Sequence, residues 1–348
     1  MVKAPAIVIA HRGASGYLPE HTLATYFVAA EQQADFLEPD LVMTGDGVLI
    51  ARHENEISTT TDVATRAEFA ARRATKTVDG VELSGWFTED FTLAELKRLR
   101  ARERLPELRP ANARFDGMFA VPTFDEVLEL AKSIDRLRLE RARALGAAPP
   151  PPIGVYPETK HPSYFAQLGL AMERDVVDAL ERHGFGPDGS PAFIQSFEVA
   201  NLKALRGMTR LPLIQLIEPE GRPFDFAASG DSRTYADLLT PTGLAGIRAY
   251  ANGIGVPKST VLRVEDGVPA MRPTQLVADA HAAALLVHVW TFRAENYFLP
   301  MHLRRGSDLQ QHGDLAAELG AALAAGIDGF FADQPDLGVA IRASAVGR

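Results

Sequence analysis

Four short groups of polar residues follow apolar runs in this sequence, and each could do chemistry. The first is His11-Arg12-Gly13-Ala14-Ser15-Gly16, followed by Pro19-Glu20-His21-Thr22. Histidine exchanges protons near neutral pH. Arginine offers a planar fork of donors that suits phosphate, and glycine lets backbone approach a ligand closely. The second group is Leu37-Glu38-Pro39-Asp40. Residues two apart on a strand share a face, so Glu38 and Asp40 point the same way. Neighbouring carboxylates repel and are costly to bury, a conflict that a hard cation such as Mg²⁺ or Ca²⁺ resolves. The third is His53, after the run Val48–Arg52. A second histidine permits a division into acid and base. The fourth is Tyr156-Pro157-Glu158-Thr159-Lys160, where Glu158 could add a third carboxylate and Lys160 a positive charge for a phosphate oxygen.

Taken singly, each group has a plainer reading: a capped turn, a solvated strand surface, a structural histidine, a Glu158–Lys160 ion pair. Together they favour a site, because independent accidents would not place compatible polar groups at four strand ends. Phe197, in Gln195-Ser196-Phe197, and Trp290, in Trp290-Thr291-Phe292, end two further strands and could wall a substrate site. Asp333 reads as a cap of the last helix or, second to that, as a contact of the site. Arg98, Arg100, Arg102 and Arg104 read as a solvated helix face.

These groups need elements to position them. Strands are expected at Ala6–Ala10, Phe36–Met43, Val48–Ala51, Ile153–Glu158, Ala192–Gln195, Leu213–Ile217, Ala284–Trp290 and Gly329–Ala332, with the assignment around 250–265 the weakest. Helices are expected at Thr22–Gln33, Thr123–Ile134, Tyr164–His183, Val199–Arg206, Pro273–Ala283 and Asp314–Ala325, with Thr22, Thr123 and Ser163 at N-cap positions. This alternation predicts an α/β fold with a parallel sheet inside a shell of helices. About eight strands favour a (β/α)₈ TIM barrel, whose chemistry sits at the C-terminal strand ends. Proline is awkward inside a sheet, so Pro39 is placed near its strand's end. The segment 54–116 shows no parallel strand and carries a charged helix around Thr92–Arg104. It reads as an insertion after the second and third strand region, within one domain spanning 1–348. Leu137–Pro152 reads as a basic helix ending in a stiff connector at Pro149–Pro152.

The 348 residues hold 36 Lys and Arg against 45 Asp and Glu, so the net charge of −9 disfavours nucleic acid as a partner. There is no cysteine, which excludes disulfides, thiol nucleophiles and zinc–thiolate sites. The apolar run Ala4–Ala10 is short for a signal peptide, and no apolar stretch is long enough for stable membrane insertion. The chain is expected in the cytoplasm if it begins natively at Met1, and in the periplasm if an export signal was removed before it.

The segments HRGASGYLPEHT, LEPDLVMTGDGVLIARHE, YPETKHPS, QSFE, VHVWTFR and DGFFADQPD, in this order, resemble the glycerophosphodiester phosphodiesterase family, and TVDGVELSGWFTEDFTLAELKRLRARER resembles the insertion of its longer bacterial, periplasmic-type members. The resemblance implies a (β/α)₈ barrel and one divalent cation, Ca²⁺ or Mg²⁺, on Glu38, Asp40 and Glu158. It implies His11 and His53 as acid and base, and Arg12 and Lys160 as phosphate ligands. Its substrates are small glycerophosphodiesters such as glycerophosphocholine and glycerophosphoethanolamine, cleaved through a cyclic phosphate to glycerol 3-phosphate and an alcohol. Many members have Asn and Asp where this sequence has His21 and Glu54. The first change should touch hydrogen bonding behind the site; the second leaves open whether Glu54 orients His53 or faces solvent.

Two other readings compete. One is a related barrel that cleaves phospholipids or sphingolipids, with Trp86-Phe87 and Tyr297-Phe298 as membrane contacts. The other is a barrel that binds glycerophosphodiesters without cleaving them, against which the paired histidines and three carboxylates argue. The oligomeric state is left open, a homodimer included.

Overall fold

The computed structural model describes residues 5–187, 189–264 and 270–346. Ala4, which opens the apolar run Ala4–Ala10, and residue 265 of the weak strand region lie outside them. Fifteen strands occur among the described residues: β1 Ile7–His11, β2 Phe36–Glu38, β3 Asp40–Met43, β4 Leu49–Ala51, β5 Ala74–Val78, β6 Val81–Gly85, β7 Gly154–Val155, β8 Glu158–Thr159, β9 Ile194–Ser196, β10 Leu213–Leu216, β11 Gly253–Pro257, β12 Leu262–Val264, β13 Met271–Pro273, β14 Leu286–Phe292 and β15 Gly329–Ala332. Eleven form one curled, mostly parallel sheet in the order β4-β3-β8-β9-β10-β11-β14-β15-β1-β2-β7. The region around 250–265 does supply a parallel strand, β11, between β10 and β14.

Two strand runs are interrupted at prolines. β2 and β3 flank Pro39, and β7 and β8 flank Tyr156-Pro157. Proline lacks an N–H, but its carbonyl still accepts. Glu158 N–H donates to Pro39 O at 2.9 Å, between Tyr156 N–H to Leu37 O at 2.8 Å and Lys160 N–H to Leu41 O at 3.0 Å. The hydrogen bonds therefore continue past Pro39, which sits between the end of β2 and the start of β3, near a strand end as expected. The run expected at Val48–Ala51 is corrected: β4 pairs antiparallel with β3.

Alternation along the strands sorts the core. Leu37, Leu41, Val8 and Ala10 face the main hydrophobic core with the surrounding helices. Ile9, Phe36, Tyr156, Ile214 and Phe331 form a separate inner cluster, with Phe193 against it. The rings of Tyr156 and Phe193 stack at 4.9 Å, and the Tyr156 hydroxyl meets His288 Nδ1 at 2.7 Å. Two residues further along, the inward positions become His11, Glu38, Glu158, Gln195 and Asp333. An apolar floor thus lies directly beneath a polar layer at the C-terminal strand ends.

The first helix is Leu23–Glu31, capped by the Thr22 side chain, which accepts from Thr25 N–H. The helices expected at Thr123–Ile134 and after Leu137 are one helix, Phe124–Ala144, started by a Thr123/Glu126 capping box. The helix expected at Tyr164–His183 is two, Pro162–Gln167 and Glu173–Arg182. His161, not Ser163, holds the N-cap position of the first. Segment 54–116 contains the antiparallel hairpin β5–β6 and short helical turns. Its expected helix at Thr92–Arg104 is only Leu93–Leu96. No helix of the described residues is long and apolar enough to cross a membrane.

Candidate active site

All nine residues singled out for a site, His11, Arg12, Glu38, Asp40, His53, Glu158, Lys160, Phe197 and Trp290, line one cavity of about 660 Å³. Local backbone explains the first group. His11 ends β1 opposite Glu38 of β2. The chain then turns sharply, with Arg12 at φ 59° and Gly13 at φ 86°. Glycine is needed there twice over: the φ is left-handed, and a Cβ would come 2.2 Å from Thr25 Cγ2. The turn points Arg12 N–H at Glu38 Oε2, 2.7 Å away. Its guanidinium meets Glu20 at 3.0 Å and Asp40 at 3.3 Å.

Glu38, Asp40 and Glu158 each offer a carboxylate oxygen within 4.8 Å of the others, and all three are buried. Crowding shows in their proton affinities. Burial, then the charges of Asp40 and Glu158, push Glu38 well above the usual carboxylate range. Burial pushes Glu158 up to about 8, with Lys160 opposing. Asp40 goes the other way despite burial, because Lys160, His53, His21 and Arg12 hold it ionised. Lys160 Nζ lies 2.7 Å from Glu158 Oε1 and 3.4 Å from Asp40 Oδ1. Three buried oxygen donors with excess negative charge fit a hard divalent cation. Glu158 Oε1 accepts no hydrogen bond of good geometry; the Lys160 ammonium 2.7 Å away is the cation beside it.

Each imidazole rests on a carboxylate. His11 Nδ1 is 2.7 Å from Asp333 Oδ1, and His53 Nδ1 is 2.5 Å from Glu54 Oε1. Asp333 and Glu54 are both held ionised, against burial, by neighbouring cationic side chains and by the histidines themselves. An ionised carboxylate only accepts, so Nδ1 of each ring must donate. Burial, then Arg12, lower His11 to about 4, and the same causes lower His53, whose side chain is partly exposed. Both rings are therefore neutral at pH 7, with Nε2 left bare as a proton acceptor. His21 stands behind Asp40: its Nε2 lies 2.9 Å from Asp40 Oδ2 and its Nδ1 2.7 Å from the Tyr26 hydroxyl.

Several expectations change. Asp333 supports His11 from the site side; its second oxygen accepts from Arg109 at 2.7 Å and Arg293 at 2.8 Å. Arg104 is no solvated helix residue; it bridges Glu20 and Glu54 with four hydrogen bonds of 2.6–2.9 Å. Glu54 does face His53. Trp86 and Phe87 are buried and unavailable as membrane contacts, whereas Tyr297 is exposed. Arg109 was missed altogether. No periodicity distinguishes Arg104 or Arg109 from the other arginines around them; only the folded path does. Phe197 and Trp290 meet edge to face at 6.5 Å, and Lys160 Nζ lies 5.7 Å from the Phe197 ring centre.

Such a set of groups, acids for a cation beside paired imidazoles and fixed positive charge, serves phosphoester chemistry. The profile of the Glycerophosphoryl diester phosphodiesterase family matches residues 11–337. The sequence is 36% identical over 339 residues to glycerophosphodiester phosphodiesterase GDPD6 of Arabidopsis thaliana, covering 93% of this chain and 82% of that protein. It is 28% identical over 358 residues to a glycerophosphodiester phosphodiesterase of Haemophilus influenzae, covering 97% and 90%. In fold it is similar to an Oleispira antarctica phosphodiesterase solved with the product sn-glycerol-3-phosphate, at TM-score 0.61, 19% identity, and coverage of 99% and 98%. The chain belongs to the glycerophosphoryl diester phosphodiesterase family and is an enzyme, a phosphodiesterase.

Proposed function

We propose that the protein hydrolyses small glycerophosphodiesters, with His11 and His53 as proton carriers, Arg12 and Lys160 on the phosphate, and Phe197 and Trp290 as walls. The observation that carries this is the meeting of two carboxylate-backed imidazoles with Glu38, Asp40 and Glu158 in one cavity. The same reading takes the curled sheet as a (β/α)₈ barrel with 54–116 inserted. In its favour, the pairings run in a cycle, from β1 through β2/β3, β7/β8, β9, β10, β11, β14 and β15 back to β1.

Glu38, Asp40 and Glu158 would hold one Ca²⁺ or Mg²⁺, which when bound neutralises phosphoryl oxygens as a Lewis acid. Arg12 and Lys160 bind the anionic phosphodiester and stabilise the charge that grows on it. One imidazole takes the proton of the glycerol hydroxyl beside the ester as that oxygen attacks phosphorus. The bond to the head-group alcohol breaks, and the other imidazole, protonated in the presence of the anionic substrate, donates to the leaving oxygen. Water then opens the cyclic phosphate with the two imidazoles exchanging roles, and glycerol 3-phosphate departs. Throughout, Asp333 and Glu54 stabilise whichever ring is cationic.

The test is a product assay with glycerophosphocholine and glycerophosphoethanolamine after chelation, with Ca²⁺ and Mg²⁺ returned separately. Release of glycerol 3-phosphate that depends on one of these ions is expected. No release from either substrate under either ion would overturn the assignment.

A further inference from the structure

Arg104 and Arg109 lie five residues apart in segment 54–116, yet they reach the two different histidine supports. Arg104 binds Glu54, the partner of His53, through Nη1 at 2.9 Å and Nη2 at 2.6 Å. Arg109 binds Asp333, the partner of His11, through Nη2 at 2.7 Å. A tight turn sets their spacing: Arg109 N–H donates to Leu105 O at 2.7 Å, and Glu103 accepts from Leu105 N–H and from Asn112. Arg104 also grips Glu20, which in turn holds Arg12.

We infer that segment 54–116 is a positioning element for both imidazoles, with Arg104 acting on His53 through Glu54 and Arg109 acting on His11 through Asp333. This rests on the reading of the two histidines as proton carriers. The physical reason is twofold. A carboxylate fixes a neutral imidazole in the Nδ1–H form and so bares Nε2 to the cavity, but only if the carboxylate itself is held still. An arginine fork does that better than a lysine, because its donors are planar and rigidly spaced. Without Arg104, Glu20 and Glu54 also lose the cation between them. They repel, and Glu54, more exposed than the buried Glu20, is the one free to swing away from His53.

The role is a positioning one, and its test reads something that stability alone would not move. Full-length wild type, Arg104→Ala, Arg104→Lys and Arg104→Gln are prepared with ¹⁵N-labelled histidine, with His53→Gln and His11→Gln as assignment controls. Long-range ¹H–¹⁵N spectra report the tautomer of each ring directly. Wild type is expected to show Nδ1–H at both rings. In Arg104→Ala and Arg104→Gln, His53 should become a mixture of tautomers while His11 is unchanged, with Arg104→Lys intermediate. Turnover should fall roughly 10–100-fold with KM nearly constant, the usual cost of losing a group behind a functional one. Glu54→Gln should behave alike, and the double variant should be no worse than either single one. A pure Nδ1–H His53 with wild-type turnover in both Arg104→Ala and Arg104→Gln would overturn the inference. An inactive wild type would instead sink the proposed reaction, while the spectra still report on the arginine.

Discussion

His11 and His53 face the same cavity from unlike supports. The His11 side chain is 12% exposed and its Asp333 partner 3%, and Asp333 is gripped by two arginines from distant parts of the chain. His53 and Glu54 are 30% and 32% exposed, and Arg104 is the one arginine that binds Glu54 among the described residues. The first unit grows out of the sheet: β1 ends at His11, and Asp333 follows β15. The second stands where the antiparallel β4 leaves the sheet, and segment 54–116 holds it in place. Two groups of the same chemistry thus carry very different margins of order. The buried one is fixed by what surrounds it, the other by a single side chain.

The largest test of this comparison removes each ring. His11→Ala and His53→Ala should each lower turnover about 10²–10⁴-fold, measured as glycerol 3-phosphate release. Retention of wild-type rates by either would break the pairing. Next in size is the support on the buried side. Arg109→Ala leaves Glu295 without its arginine and Asp333 short of one, and breaking a buried ion network costs about 3–5 kcal/mol. A denaturant melt should show that loss, whereas Arg104→Ala should cost clearly less. Equal losses would mean that the two sides do not differ.

Acid titration sharpens the contrast. His11 is held at about 4 in the folded chain against an ordinary 6.5. Between these values the unfolded chain binds more protons, so stability rises with pH through that window and is lost as pH falls from 6.5 towards 4. His53 and the buried His288 share the sign. His11→Asn should therefore flatten the pH dependence of stability between 4 and 6.5 by up to about one proton without abolishing it. An unchanged slope would show that His11 titrates normally. The smallest effect is expected at the rim, where Asp79 of the β5–β6 turn meets His161 at 2.6 Å. Asp79→Ala should cost no more than about 1 kcal/mol in a melt, as an accessible pair does.

What could be read from the sequence was local. Glu38 and Asp40, or Glu158 and Lys160, share a face because a strand alternates, and that needs no knowledge of the rest of the chain. His11 and His53 stood out because each closes an apolar run. The supports were different. Asp333 lies 322 residues from His11, and Arg109 lies 224 from Asp333. Arg104 sits in a charged run in which Arg98 and Arg102 do face outward, pairing with Glu68 and Asp116. Such partners are chosen by tertiary packing, which periodicity does not encode. The same holds for β4, whose apolar run was legible but whose antiparallel direction depends on a tight turn back from β3.

The aromatic floor beneath the polar layer has a kinetic consequence. Tyr156, His288 and Phe331 are buried there and fill the interior beneath the polar layer. In the proposed reaction the diester, the freed alcohol and the water would therefore all pass on the side of the cavity away from that floor. In that reaction the alcohol would have to clear before water could reach phosphorus, so a high concentration of added alcohol should compete with water for the cyclic phosphate and return a diester instead of glycerol 3-phosphate.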